Sequence, residues 1–474
     1  MNRRTFIRHS GIVSATVLSQ PVLSFPARDF PAVRVAQNQR NFRSKAVEET
    51  IQRVKGQIRN KELGWLFENC FPNTLDTTVD FAMVDGRPDT YVITGDIDAM
   101  WLRDSTAQVW PYLPLMKQDE PLRQLIEGVI HRQTRNIIKD PYANAFYKDD
   151  TKVGEWKDDR TDMKPGLHER KWEIDSLCYP VRLAYGYWKR TGDITPFGAD
   201  WQTAMRLIVQ TFREQQRKTG HGPYKFERTT SWATDGVPLG GYGYPVRPVG
   251  LICSTFRPSD DATVFSFLVP ANFFAVISLR QMAEMLTVLK GDARLIADAR
   301  ALANEVETAL KQYAVIQHPG IGKVYAYEVN GFGSYNLMDD ANVPSLLSMP
   351  YLGAMSATDP IYQNTRRLVL SQDNPFYFAG KAGAGIGGPH AGMDMIWPIS
   401  ITMRALTSAD DREISSCLTM LRTCNAGTGF MHESFHKNDP STFTRKWFAW
   451  ANTLFGELVL KTANERKHLL NQAG

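Results

Sequence analysis

Only five cysteines occur in the 474 residues, at positions 70, 178, 253, 417 and 424. An odd number at irregular spacing excludes a disulfide framework. The lack of a CxxC pair or a Cys/His cluster with ligand spacing excludes a zinc-stapled fold. No stretch reaches the roughly twenty apolar residues that span a bilayer, so no membrane anchor is expected. Lysine and arginine are dispersed and the net charge is only +5, which leaves no electrostatic footprint for nucleic acid. No Pro- or Ser-rich linker, charge block or low-complexity tract divides the chain. A length that would ordinarily suggest about three domains therefore reads as one domain over 40–474.

The N-terminus reads as an address. Residues 1–27 hold Arg3-Arg4-Thr5-Phe6-Ile7-Arg8, then a modest apolar stretch over 11–23, and no acidic residue precedes Asp29. Paired arginines ahead of a weak apolar core match a bacterial twin-arginine export signal. The expected partner in transit is the twin-arginine translocation machinery, and the expected location is periplasmic or secreted. Such proteins fold in a reducing cytosol before export, which agrees with unpaired cysteines.

Beyond residue 40 the apolar residues recur at helical spacing over 45–58, 121–138, 201–215, 273–289, 293–313, 398–406, 412–421 and 447–462. Strand candidates are few, at 90–93 and 324–329. Acidic and aromatic residues gather in loops near 96–104, 156–175, 257–261, 335–344, 387–397 and 432–447, a loose period of roughly 70 residues without a residue-level repeat. Six helical hairpins presenting loops at one end predict an all-α fold, an (α/α)6 barrel or helical toroid with its site at one mouth. An irregular helical domain has the same periodicity.

Three segments carry chemistry. Thr94 to Ser105, TGDIDAMWLRDS, places Asp96, Asp98, Trp101, Arg103 and Asp104 within twelve residues. Carboxylates accept from hydroxyls, a guanidinium donates in a fixed fork, and an indole covers C–H surface, a set that suits a sugar ring. Arg257-Pro258-Ser259-Asp260-Asp261 sets two carboxylates side by side, where one is able to keep its proton near neutral pH while the other ionises; an ordinary helix N-cap has the same composition. Gly427-Thr428-Gly429-Phe430-Met431-His432-Glu433 isolates one carboxylate among aromatics and imidazoles. His432 and His436 stand four apart but lack the HExxH order, so no metal is assigned.

Taken together, TGDIDAMWLRDS, KWEIDSLCYP, FRPSDDA, SMPYLG, GGPHAGMDMIWP, GTGFMHESF and RKWFAWAN resemble glycoside hydrolase family 125, the exo-acting α-1,6-mannosidases, from about Phe67 to Leu458. The resemblance implies an (α/α)6 barrel and inverting, metal-independent hydrolysis of terminal non-reducing α-mannose, without a cofactor, on mannose-containing oligosaccharides. It places the general base on Glu433 and the general acid in the Ser-Asp-Asp segment, with Asp260 preferred to Asp261. Inversion requires carboxyls about 6.5–9.5 Å apart, so the base must come from outside that pair. Asp96, Asp98, Trp101, Arg103 and Asp104, then Arg257 and His390, are the expected mannose contacts. Trp156 and Trp397 are further candidates for ring faces, and Asp175 is open between pocket and helix cap. Another toroidal carbohydrate enzyme, such as an α-glucosidase or glycoside phosphorylase, and a binding protein that kept the pocket are the alternatives.

Overall fold

The computed structural model describes residues 30–471. The export motif at Arg3-Arg4 and the whole 1–27 segment lie outside the described residues. From Val33 onward the chain forms one compact unit. Its helices fall into two kinds that their sequences distinguish. Leu102–Val109 buries all eight residues, Ile174–Thr191 buries every residue from Ile174 to Ala184, and Ala449–Glu465 buries every residue from Ala449 to Gly456. A helix covered on all sides belongs to an interior. By contrast, Ala293–Tyr313 buries only Leu295, Ala299, Leu302, Ala303, Val306, Ala309 and Leu310, a single stripe that suits an outer layer.

The inner helices touch in succession. Leu102–Val109 packs on Ile174–Thr191, which packs on Val269–Val288, which packs on the short Met349–Leu352. Pro398–Leu406 packs on Ala449–Glu465, and Ala449–Glu465 returns to Leu102–Val109. Around them run Glu120–Lys139, Ala199–Gln215, Ala293–Tyr313, Pro360–Val369, Asp411–Thr423 and Lys61–Cys70. This is an (α/α)6 barrel. Trp101, Glu173, Leu268, Ser348, Trp397 and Phe448 immediately precede the inner helices, and Trp101, Trp397 and Phe448 line one cavity. Backbone N–H groups without intrahelical partners, and the positive ends of the helix dipoles, converge there.

Strand is more frequent than the sequence suggests. Fifteen short strands occur among the described residues, most only two or three residues long. The expected strand over 324–329 is broken: Gly322–Tyr325 pairs with Val315–His318, while Glu328–Val329 pairs with Phe267–Leu268 and Tyr335–Asn336. Pieces this short show no alternation to read; they serve as clips between loops. Met100–Trp101 pairs with Ala145–Phe146, which pairs with Leu167–Glu169, and Met395–Ile396 pairs with Ser434–His436. The segment from Leu102 onward is helix rather than loop, because its polar residues are buried and leave no apolar period. All five cysteines are free and buried. Among the described residues no helix is long and apolar enough to cross a membrane.

Candidate active site

A cavity of about 430 Å³ opens at the mouth where the inner helices begin. Trp101, Arg103 and Asp104 enter it from the start of the Leu102–Val109 helix, Asp260 and Asp261 from the 257–261 loop, and His390, Trp397 and Glu433 from the far side of the sequence. The two clips described above set these positions. One pairs Trp101 with Ala145, next to Asn144, and Ala145 in turn with Glu169; the other brings the Trp397 segment beside Glu433.

Arg103 is almost wholly buried and is the centre of an acidic ring. Its Nη1 donates to Glu173 at 2.6 Å and Asp175 at 3.1 Å, and its Nη2 donates to Asp260 at 3.3 Å. Asp104 lies 3.5 Å from its Nε. Burial pushes Asp104 up to about 6, only partly offset by Arg103. The same burial, again opposed by Arg103, brings Asp175 to about 6. Asp175, open between two roles on the sequence, is thus fully buried beneath the pocket and bonded to Arg103.

The Ser-Asp-Asp segment forms a tight turn. Asp260 N–H donates to the Arg257 carbonyl at 2.9 Å, and Arg257 N–H donates to the Asp261 carbonyl at 2.8 Å. Asp260 sits at φ 66°, in the left-handed region that costs a side-chain-bearing residue roughly 1–2 kcal/mol and that clusters at functional sites. The turn separates the neighbours. Asp260, with 21% of its side chain exposed, faces the cavity and receives Asn144 Nδ2 at 3.2 Å on the same oxygen as Arg103. Asp261 borders the cavity with its side chain almost wholly buried, 3.1 Å from Ser259 Oγ and 3.8 Å from His390 Nδ1. Burial works to raise the Asp260 carboxyl, but Arg103 and Lys171 win and hold it well below the usual carboxylate range. His390 goes the other way. Burial lowers it, yet the contact with Asp261 and the charges of Glu433 and Asp260 push it up to about 9.

Glu433 owes its place to a constrained backbone. Gly429 has φ 81°, and a Cβ there would meet Trp65, Val33 and Asn69. Asn452 of the last inner helix then clamps Met431, accepting from its N–H at 2.9 Å and donating to its carbonyl at 3.3 Å. Arg445 Nη1 reaches Glu433 at 3.4 Å, while its Nε and Nη2 hold Asp96 at 2.8 and 2.5 Å. Gly95 makes that bridge possible, since its backbone lies so close against Trp447 that a side chain would collide.

Most of the expected site residues meet here, and three do not face the cavity as expected. Asp98 points to solvent, 65% exposed and paired with Lys152 at 2.6 Å. Arg257 is buried behind the turn on Glu328 at 2.7 Å, where it props the Asp260 loop. Asp96 acts through Arg445 rather than lining the wall. His432 stacks on Phe443 at 3.7 Å and its Nε2 bonds the Asn425 carbonyl at 3.3 Å, which turns its ring away from the cavity lining.

Other residues of the site escaped the sequence reading. Lys171 lies under the Asp260 turn, donating to the Asp260 carbonyl at 3.0 Å and to Asp235 at 2.5 Å. Arg228 lies 3.6 Å above Trp156 and forks onto Asp159, building the wall beside the exposed Trp232. A signal did exist for Lys171 and Glu173. In Lys171-Trp172-Glu173 charge and apolar residues alternate ahead of the helix, which puts the two charges on one face of extended chain.

Residues 60–460 match the family model of the metal-independent α-mannosidases, GH125. The chain is 45% identical to the meiotically up-regulated gene 157 protein of Schizosaccharomyces pombe over 457 residues, covering 93% of this chain and 90% of that one. It is also similar to a solved metal-independent α-mannosidase of Streptococcus pneumoniae in a non-productive complex with α-1,6-mannobiose. That match has 41% identity and a TM-score of 0.86, over 90% of this chain and all of the other.

Proposed function

The chain belongs to the metal-independent α-mannosidases of GH125, and from that premise we propose that it is an inverting exo-α-1,6-mannosidase in which Asp260 is the general acid and Glu433 the general base. It removes terminal non-reducing mannose from oligosaccharides such as mannan or N-glycan fragments. The observation that carries this reading is the meeting of Asp260 and Glu433, from separate hairpins, in one cavity walled by Trp101 and Trp397. Asp260 is the more exposed member of its pair and protonates the leaving oxygen. Glu433 activates the water that attacks C1, and Arg445 fixes its carboxylate. Hydrolysis by one displacement needs these two carboxyls and no covalent intermediate.

The non-productive complex of the Streptococcus relative with α-1,6-mannobiose supports the α-1,6 linkage. Mannose differs from glucose by an axial 2-hydroxyl, and a site that pairs this hydroxyl rejects the epimer by leaving buried polar groups unsatisfied. Arg103 and Asp104 are the residues placed to read it. The arginine pair at positions 3 and 4 supports export by the twin-arginine route, with the mature enzyme periplasmic or secreted.

The test compares α-1,6-, α-1,2- and α-1,3-linked mannobiose without added metal. Selective release of mannose from the α-1,6 isomer is expected. Equal cleavage of all three, or a requirement for phosphate, would contradict the assignment.

A further inference from the structure

Four carboxyl groups, Asp104, Glu173, Asp175 and Asp260, ring the single guanidinium of Arg103. The other cations nearby are engaged elsewhere: Lys171 is shared between Glu169 and Asp235, Arg445 between Asp96 and Glu433, and His390 faces Asp261. One guanidinium does not balance four carboxylates in a site largely closed to water, so the ring retains protons. Hydrogen bonding shows where one of them resides. Glu173 Oε2 is satisfied, accepting from Arg103 at 2.6 Å and from Ser176 Oγ at 2.7 Å. Its Oε1 is buried with no donor, as is Asp175 Oδ1, and of these two carboxyls Glu173 is the one that adjoins Asp260. The Glu173 carboxyl is within hydrogen-bonding reach of Asp260, and the two groups occupy the two ends of one guanidinium fork, Nη1 and Nη2. A carboxyl oxygen that lacks a donor and adjoins a carboxylate is satisfied when it carries the proton itself.

We propose that Glu173 and Asp260 share one proton, and that Glu173 is the internal store from which Asp260 is recharged as general acid. The proposal rests on the assignment of Asp260 above. It also resolves a difficulty in that assignment, because Asp260 alone is held ionised by Arg103 and Lys171. The electrostatics agree: burial, then Asp260 and Asp175, raise Glu173 well above the usual range against the pull of Arg103.

In the resting state Glu173 is the acid and Asp260 the carboxylate. With substrate in place the proton passes from Glu173 Oε1 to Asp260, and from Asp260 to the glycosidic oxygen as the C1–O bond breaks. Water bonds to C1 and gives its proton to Glu433. Glu433 then releases that proton to solvent, and the ring takes one back through Asp260, the member that faces the cavity. Protons therefore balance over a turnover. Glu173 is completely buried and acts only through Asp260, so it is a positioning residue. The groups that tune it are Arg103 and Asp104 from one helix, Asp175 and Ser176 from its own, Asn144 and Lys171 from the clip beneath, and His390 across the cavity.

The test is Glu173→Gln in the full chain, read as kcat against pH on α-1,6-mannobiose and on an activated aryl α-mannoside. Glutamine keeps an oxygen for Arg103 and Ser176 but offers Asp260 an amide without a transferable proton. Mannobiose turnover is expected to fall about 10²-fold, the scale of general acid catalysis, and its alkaline limb to move to lower pH, with the aryl mannoside nearly unaffected. A loss equal on both substrates, or an unmoved alkaline limb, overturns the proposal. Ser176→Ala is the second variant and supports the fold better. It removes a donor that favours ionised Glu173, so the alkaline limb moves to higher pH; an unchanged limb overturns the proposal. Asp260→Asn, measured alongside, separates the two claims. If it spares mannobiose turnover, the acid assignment itself falls. If it shows the acid signature while neither Glu173→Gln nor Ser176→Ala moves the limb, the store alone falls.

Discussion

Arg445 stands 3.4 Å from Glu433 and turns the rest of its guanidinium onto Asp96. A planar fork joins two loops that lie almost at opposite ends of the chain, and the proposed base is aimed by that fork rather than by its own backbone alone. A lysine offers a point charge without the geometry. Arg445→Lys is therefore expected to fold normally and to lose kcat by about 10²-fold, the penalty of roughly 1 Å of misplacement at a reacting group. Steady-state kinetics on α-1,6-mannobiose check this. Retention of full activity would mean that the charge suffices.

Glu433→Gln is expected to abolish turnover on every substrate, because water must be activated whatever leaves. Asp260→Asn is expected to cost about 10²- to 10⁴-fold on mannobiose and far less on an aryl mannoside with a good leaving group. Asp261→Asn, whose carboxyl lies against Ser259 and His390, is expected to lack that leaving-group dependence. If Asp261→Asn shows it and Asp260→Asn does not, the roles within the pair are reversed.

His390 couples the site to pH through stability. Its folded value is raised to about 9, above the ordinary imidazole value near 6.5. The native state thus binds more protons than the unfolded chain in that interval, and the contribution is complete below about pH 6.5 and lost as pH rises through about 9. Thermal midpoints of the wild type are expected to fall over this window more steeply than those of His390→Gln. The raised carboxyl of Asp339, near 8, has the same sign but is common to both proteins and cancels. Because 37% of the His390 side chain is accessible, solvent screens the effect and the difference is small. Parallel curves would contradict it.

The barrel was legible because the helices that build it keep their periods. The 293–313 and 398–406 spacings match the observed Ala293–Tyr313 and Pro398–Leu406 residue for residue. Periodicity failed where burial is all-round or polar, as in Leu102–Val109, and where strands of two residues clip loops together. Within the site, long motifs located Trp101, Arg103, Asp260 and Glu433. The direction of a side chain is not written in a motif, however. Asp98 and Asp104 look alike in TGDIDAMWLRDS, yet one faces solvent on Lys152 and the other is buried against Arg103. Asn144 reaches Asp260, and Arg445 the cavity, only through strand pairing and the close approach at Gly95, contacts between distant segments that no local spacing encodes.

Early-time proton NMR of α-1,6-mannobiose hydrolysis, read before mutarotation, tests the central claim most directly. One displacement by water activated at Glu433 predicts β-mannose as the first-formed product. Initial release of α-mannose would require a covalent intermediate and carboxyls only about 5–5.5 Å apart, and would contradict the roles given to Asp260 and Glu433.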